Sequence, residues 1–209
     1  MSGVPAYAVV PSGGRGCLHD CVDSLLPQVD LLYLVQTRRF RLTPRPGLVC
    51  LPQWRNAGLN ISRWWNAGIR AAARAAARAG EAAGTDGGGW DVLVANDDII
   101  APPGLVAGLS AGMRSDLYAL AYCHPPAAGT TTISGWCFML RGEAGLLADE
   151  RLKWWYGDDD LEYQARAKGG SISVPGCTVQ HLYPGGNDEG MEAQIVADAE
   201  YFRAKWSRL

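Results

Sequence analysis

Over its first hundred residues the chain alternates short apolar runs with segments of helical spacing, and this limits the folds open to it more than any other feature. AYAVV (6–10) reads as a strand closed by a Pro-Ser-Gly-Gly turn. CLHDCVDSLLPQ (17–28) then sets Leu18, Cys21, Val22, Leu25 and Leu26 on one side of a helix. DLLYLVQ (30–36) and LVCLPQ (48–53) are further apolar runs, separated by the arginine-rich TRRFRLTPRPG (37–47). The clearest helix runs from Asn60 to Gly84; it is rich in alanine, the strongest helix former, and ends in glycine. DVLVA (91–95) is a fourth strand. Apolar strands alternating with helices predict βαβ units and a largely parallel sheet.

The second half continues the pattern. Proline opens a helix at PPGLVAGLSAGM (102–113), and LYALAYC (117–123) is a fifth strand. TTTISGWCFMLRG (130–142) reads as one long apolar strand, EAGLLAD (143–149) as helix-like, and DDDLEYQARAKGG (158–170) as a helix. SISVPGCTVQH (171–181) is strand-like. DEGMEAQIVADAEYFRAKW (188–206) is an amphipathic helix, whose Ile195, Ala199 and Phe202 face either the domain or a second subunit of a homodimer. The alanine tract carries Arg70, Arg74 and Arg78 at four-residue spacing, which suits a solvated face.

A length of 209 residues suffices for one large α/β domain with its own core. A net charge of −2 supplies no global field toward nucleic acid or an anionic membrane, so any polyanionic partner would need local contacts. No secretory signal or run of about 18 apolar residues is present. A cytoplasmic location is therefore expected, with the six cysteines as reduced thiols. Cys17, His19 and Cys21 have zinc-like spacing, but no second pair accompanies them.

Four clusters can carry chemistry. The strand VLVA runs directly into Asn96, Asp97 and Asp98. Adjacent carboxylates repel and resist desolvation, so they require a cation or donors opposite. A hard divalent ion held by one or two carboxylates and by substrate phosphates meets that need; a helix start is the simpler use of the same acids. In WWYGDDD, Asp158, Asp159 and Asp160 open a helix behind Trp154, Trp155 and Tyr156. A carboxylate in a partly dry aromatic setting has a raised pKa and can act as a general base. His181 ends an apolar run, as a structural residue or a metal ligand. PSGGRGC (11–17) satisfies neither the dinucleotide nor the Walker pattern, yet its backbone N–H groups can face a ligand. In parallel sheets the ligand crevice lies beyond the carboxyl ends of the strands, which puts the Ser12-Gly13-Gly14 turn and the Asn96–Asp98 cluster in one cleft.

Taken together, and in this order, the segments resemble the inverting nucleotide-sugar glycosyltransferases of family 2, over residues 5 to 185. YAVVPSGGR is similar to that family's first strand and nucleotide-contacting turn, and NAGLNISRWWNAGI to its Asn-Gly helix start, with Asn56, Gly58, Asn66 and Gly68. VLVANDDI resembles the Asp-x-Asp strand, with Asn96 first and Asp98 last, and SGWCFMLRGE the acceptor-side strand. WYGDDDLEYQARAKGG resembles the segment carrying the catalytic base, and VQH its closing histidine. Three positions depart from the family: the Asp-x-Asp motif opens with Asn96 in place of an acid, VQTRRFRL lacks the acid that usually follows the second strand, and Gly157 stands where the base motif has glutamate.

The resemblance implies a single GT-A (Rossmann-like) domain over residues 1–209, with a mixed, mostly parallel sheet flanked by helices. Residues 1–100 would form the nucleotide-sugar half, 101–185 the acceptor and catalytic half, and 186–209 a C-terminal helix. The implied activity is metal-dependent transfer of a sugar from a nucleoside-diphosphate sugar, expected to be a UDP-sugar, to a hydroxyl. Mn²⁺ or Mg²⁺ would be held by Asp98 and His181. Pro11, Ser12, Gly13, Asn66, Asn96 and Asp97 would meet the donor, Asp158 or Asp159 would be the base, and Trp136, Trp154 and Trp155 would shape the acceptor site. The acceptor could be a glycan, protein, small molecule or modified nucleic acid. The competing readings are a silent nucleotide-sugar-binding module and a nucleotidyltransferase or metal phosphohydrolase.

Overall fold

A computed structural model of the protein describes residues 4–54, 58–84, 89–123, 133, 135–183 and 190–207. Seven strands form one sheet. In chain order they are β1 (Ala6–Ser12), β2 (Leu31–Gln36), β3 (Leu48–Pro52), β4 (Asp91–Ala95), β6 (Leu120–Cys123), β7 (Cys137–Arg141) and β8 (Ser171–Val174). Two short strands, β5 (Ile99–Ile100) and β9 (Gln180–His181), pair with each other outside it. The helices are α1 (Leu18–Leu25), α2 (Ile61–Ala83), α3 (Leu105–Ser115), α4 (Gly157–Arg166) and α5 (Glu192–Trp206).

Spatial order across the sheet is β3-β2-β1-β4-β7-β6-β8, and every pairing is parallel except the two made by β7. Helices cover both faces, so the central strands are buried on both sides and read as continuous apolar runs. Alternate residues of β1 serve different cores. Tyr7 and Val9 pack with Trp65, Ile69 and the alanines of α2, while Ala8 and Val10 pack with Leu18, Val22 and Leu25 of α1 and with Leu105 and Leu109 of α3.

Helix α2 approaches the sheet closely at Gly68. A Cβ at Gly68 would collide with the Val9 side chain. The Asn60 side chain caps the helix by accepting from Arg63 N–H at 2.8 Å, and Gly84, at φ 66°, ends it in the left-handed conformation.

The reversed strand β7 has a consequence for function. Its register, Cys137 opposite Ala95, carries Gly135 and Trp136 to the sheet end where β1 and β4 finish. Both residues thus lie at the carboxyl end of the parallel strands, the end where open α/β sheets commonly bind their ligands.

Three expectations about elements need correction. EAGLLAD is not a helix: a single 3₁₀ turn at Gly142–Ala144 stops at Gly145, which adopts φ 62°, and 145–149 runs on irregularly. SISVPGCTVQH breaks at Pro175-Gly176 into β8 and β9. The long strand expected over 130–142 begins at Cys137; residues 130–132 and 134 lie outside the described residues, as does Asn56. The C-terminal helix docks on its own domain, with Ala199 buried and Phe202 stacked on Tyr156. Among the described residues no helix is long and apolar enough to cross a membrane.

Candidate active site

The loop after β1 is shaped by close packing. Gly14, at φ 84°, lies under the Phe40 ring, where a Cβ would sit 2.8 Å from Cγ. Its N–H donates to Ser12 Oγ at 2.9 Å, and the Ser12 hydroxyl donates in turn to Asp97 Oδ2 at 2.6 Å. Pro11 is buried beyond the last β1–β4 pair, Val9 with Val94, where the ladder is one-sided and a missing N–H is tolerated. Gly13 is exposed beside the Arg38 side chain. Thr37 donates its backbone N–H to Ser12 C=O at 2.9 Å.

Asp97 and Asp98 are almost fully enclosed, at 5% and 2% exposure. The thiols of Cys17 and Cys21 in the α1 segment donate to the backbone carbonyls of Asp97 and Asn96, each at 3.4 Å. These cysteines support the acidic loop. One cation facing the acid pair is Arg15, whose Nη1 donates to Asp98 Oδ2 at 2.7 Å and lies 3.5 Å from Asp97 Oδ1. Burial pushes the Asp97 carboxyl above the ordinary range, opposed by the Ser12 hydroxyl and the Arg15 charge.

His181 reaches this loop through the β5–β9 pair. Ile99 is opposite His181, and Leu182 N–H donates to Asp98 C=O at 2.8 Å. That pairing leaves His181 Nε2 3.2 Å from Asp98 Oδ1. The contact is not aligned as a hydrogen bond: Asp98 Oδ1 is buried and accepts none among the described residues. Trp136 stacks on the His181 ring with centroids 5.4 Å apart and an interplanar angle of 25°, and its C=O accepts from Asn96 N–H at 2.9 Å.

The residues of this loop fit a divalent ion in one respect. Two ligand atoms about 3 Å apart span one edge of an octahedron with bonds of ~2.1 Å, the separation seen between Asp98 Oδ1 and His181 Nε2. Among the described residues no group of three or more His, Cys, Asp or Glu side chains is arranged to hold a metal. An ion there would take its remaining ligands from phosphate oxygens and water, as magnesium commonly does.

The other acidic cluster begins α4, where the three aspartates have different surroundings. Asp158 accepts from the backbone N–H groups of Asp158, Asp159 and Gly135. Burial, reinforced by the neighbouring Asp159 charge, pushes its carboxyl up to about 7. A Cβ on Gly135 would come within 2.7 Å of Asp158 Oδ2, so glycine leaves room for the carboxylate. Asp160 is fully buried and structural, bonded by Lys205 Nζ at 2.5 Å, Trp206 Nε1 at 3.0 Å and Gln164 Nε2 at 2.7 Å. Gly157 packs on α2, where a side chain would meet Ser62 Oγ at 2.7 Å and Trp65 at 3.1 Å. A glutamate there would have to displace the Ser62 and Trp65 side chains.

The acidic clusters are joined by an unbroken run of contacts: Ser12 to Asp97, Arg15 between Asp97 and Asp98, Asp98 to His181, His181 to Trp136, and Gly135 to Asp158. Trp155 is 43% exposed beside α4 and offers an aromatic face. Trp154 is half-buried; its N–H and those of Lys153 and Trp155 donate to Asp198 of α5 at 2.7–3.1 Å. Asn66 lies apart from this run. It is 1% exposed, and its amide is engaged by both backbone groups of Ala148 and by Glu150 Oε1. In this structure it fastens the 148–150 segment, because a buried amide must find its partners locally. Asn96 is half-buried at the end of β4.

No family model matches the sequence, and no curated protein matches it. Solved structures do resemble the chain. One is S. aureus TarS 1–349, at TM-score 0.58 and 11% identity over 93% of this chain. GalNAc-T7 with UDP, GalNAc and Mn²⁺ aligns at TM-score 0.62 and 12% identity over 86%. The longer S. aureus TarS structure aligns at 0.57 and 10% over 96%. The fold is GT-A. The chain spans 65%, 44% and 40% of those three structures respectively. At such identities the likeness is one of fold alone, and it does not select family 2. In GT-A terms, the contacts described here lie at the end where β1 and β4 finish.

Proposed function

We propose that the chain is an inverting glycosyltransferase that moves a sugar from a nucleoside-diphosphate sugar, with UDP the expected nucleotide, to a hydroxyl acceptor. The observation that carries this reading is the contact run from Asp98 to Asp158, which links a buried acid with an unbonded oxygen at the end of β4 to a carboxyl pushed up to about 7 at the start of α4. Residues 1–100 then bind the donor and residues 101–185 the acceptor.

In this mechanism Asp158 accepts the proton of the acceptor hydroxyl as that oxygen bonds the anomeric carbon from the face opposite the leaving group. The bond from the anomeric carbon to the diphosphate oxygen breaks, and its electron pair leaves with the nucleoside diphosphate. A base poised near neutrality suits this transfer, since it is ionised in a useful fraction and still basic. Asp98 Oδ1 and His181 Nε2 would hold Mn²⁺ or Mg²⁺. When bound, the ion offsets charge developing on the diphosphate. Asp97 orients Ser12, keeping the β1 turn open to the donor, and Asn96 faces the same end of the sheet. Trp155 and Trp136 supply flat apolar surface on the acceptor side, suited to a sugar ring or another apolar face.

Incubation with a panel of nucleotide sugars and Mn²⁺ tests the proposal, with free nucleoside diphosphate measured over time. Slow release into water from one donor is expected, abolished by Asp158→Asn. Binding with no release from any donor, with or without candidate acceptors, would favour the silent module instead.

A further inference from the structure

The Asp98 carboxylate is divided between two cation positions. Its Oδ2 receives Arg15 at 2.7 Å, while its Oδ1 faces His181 and accepts no hydrogen bond among the described residues. A divalent ion at Oδ1 therefore does not require Arg15 to leave. Arg15 is also only partly engaged. Nη1 makes both of its contacts with the acid pair, and no hydrogen bond involves Nε or Nη2 among the described residues. Its side chain is 36% exposed. The backbone that carries it is held in place, because Leu18 N–H donates to Arg15 C=O and Gly14 is locked under Phe40.

Charge and shape point to the use of those remaining donors. The buried pair carries two negative charges against one guanidinium, so a divalent ion leaves the cluster with an excess positive charge beside the β1 turn. A guanidinium presents a planar fork that matches phosphate oxygens and, unlike a lysine, holds its charge under all ordinary conditions. We infer that Arg15 is the fixed cation of a two-cation diphosphate site: it braces Asp98 with one N–H and donates the others to the leaving diphosphate. This rests on the transferase reading and adds a residue to it. The group binds the diphosphate directly and takes up part of the negative charge gained as the sugar bond breaks. Diphosphate affinity should then survive, weakened, without the divalent ion.

Inorganic pyrophosphate and Mn²⁺, each alone, separate this role from a structural one. Calorimetry in chelator measures pyrophosphate on the full chain and on Arg15→Gln and Arg15→Lys; electron paramagnetic resonance measures Mn²⁺ on the same proteins. Arg15→Gln is expected to weaken pyrophosphate binding by roughly tenfold or more, the loss of charge-assisted bonds. The same variant should bind Mn²⁺ roughly threefold tighter, because a neighbouring positive charge is gone. Arg15→Lys should restore Mn²⁺ affinity to the wild-type value and recover pyrophosphate binding only in part. Opposite signs for the two probes are the signature. Unchanged pyrophosphate binding in Arg15→Gln overturns the inference and leaves the transferase reading standing, and weakening of both probes makes Arg15 a strut for the acid pair. If the wild type binds neither pyrophosphate in chelator nor UDP with Mn²⁺, the diphosphate site itself is refuted and the transferase reading falls with it.

Discussion

His181 Nε2 lies 3.2 Å from Asp98 Oδ1, an oxygen that is buried and accepts no hydrogen bond among the described residues. A buried carboxylate oxygen without a donor carries a desolvation cost, which a bound cation would offset. Removing either side should therefore weaken Mn²⁺ binding, by roughly tenfold or more for His181→Ala and further for Asp98→Asn. Nucleotide-sugar turnover should fall in step, and excess Mn²⁺ should rescue His181→Ala in part. Resonance titration of free Mn²⁺ measures this directly; wild-type affinity in both variants would remove the ion from the site.

Asp158 sets the expected pH dependence. Its carboxyl is pushed up to about 7, so the basic form accumulates as the pH rises through that value, and kcat/KM should rise to a plateau with an inflection near pH 7. Asp158→Asn should lower kcat by roughly 10²- to 10⁴-fold and abolish the inflection. Asp159→Asn should leave most of the activity. Stability changes in the opposite sense. The folded state holds this proton at pH values where the unfolded chain, with an aspartate pKa of about 3.9, has lost it. Stability therefore falls from about pH 4 to pH 7 in the wild type, and thermal melts of Asp158→Asn at pH 5 and pH 8 should differ less than those of the parent.

Part of this site could be read from the residue string, and the remainder depends on long-range packing. Asn96–Asp98 stands out because an apolar strand ends there in acids, and that pattern is local. Its partner Arg15 does not stand out: an arginine in a glycine-rich loop reads as solvated, and only the parallel β1–β4 pairing brings it 83 residues in sequence to Asp98. The β5–β9 pair is equally silent, since two-residue strands have no periodicity to detect. The run Asp158-Asp159-Asp160 presents the same side chain on three consecutive helix positions, roughly 100° apart. What distinguishes them is what each one meets, Gly135 for Asp158 and Lys205 for Asp160. EAGLLAD has helical composition, but a left-handed Gly145 ends the turn.

Gly157 is a test of packing rather than chemistry. Gly157→Glu restores the residue that the family resemblance would place there, yet its Cβ would press on Ser62 Oγ and Trp65. The variant should lose about 1–3 kcal/mol of stability through overpacking and gain no activity. Gly157→Ala should show most of the same loss, because the clash begins at Cβ. Denaturant melts of the two variants, compared with the parent, measure it; a stable, more active Gly157→Glu would mean that Asp158 is not the only carboxylate able to take the base position.

Helix α5 should control the base from a distance. Lys205 bonds Asp160 and Asp149, Tyr201 O–H donates to Asp149 at 2.9 Å, and Asp198 holds the backbone of residues 153–155 just before the base. Lys205→Met leaves the buried Asp160 charge with neutral donors only. The expected cost is about 1–3 kcal/mol, below that of a fully buried pair because Lys205 is partly exposed. The Asp149 carboxyl is held well below the usual range by Arg151, Lys205 and Tyr201, against the opposing effect of burial. Its stabilisation is thus present above the unfolded pKa of about 3.9 and lost as the pH falls below that value. Lys205→Met should reduce this acid loss, so the variant and parent should converge in stability toward pH 3. Since the same contacts brace the segment bearing Asp158, kcat should drop several-fold while Mn²⁺ affinity at Asp98 and His181 stays unchanged. A loss of Mn²⁺ binding in this variant would instead mean that α5 supports the whole cleft, and not the base segment alone.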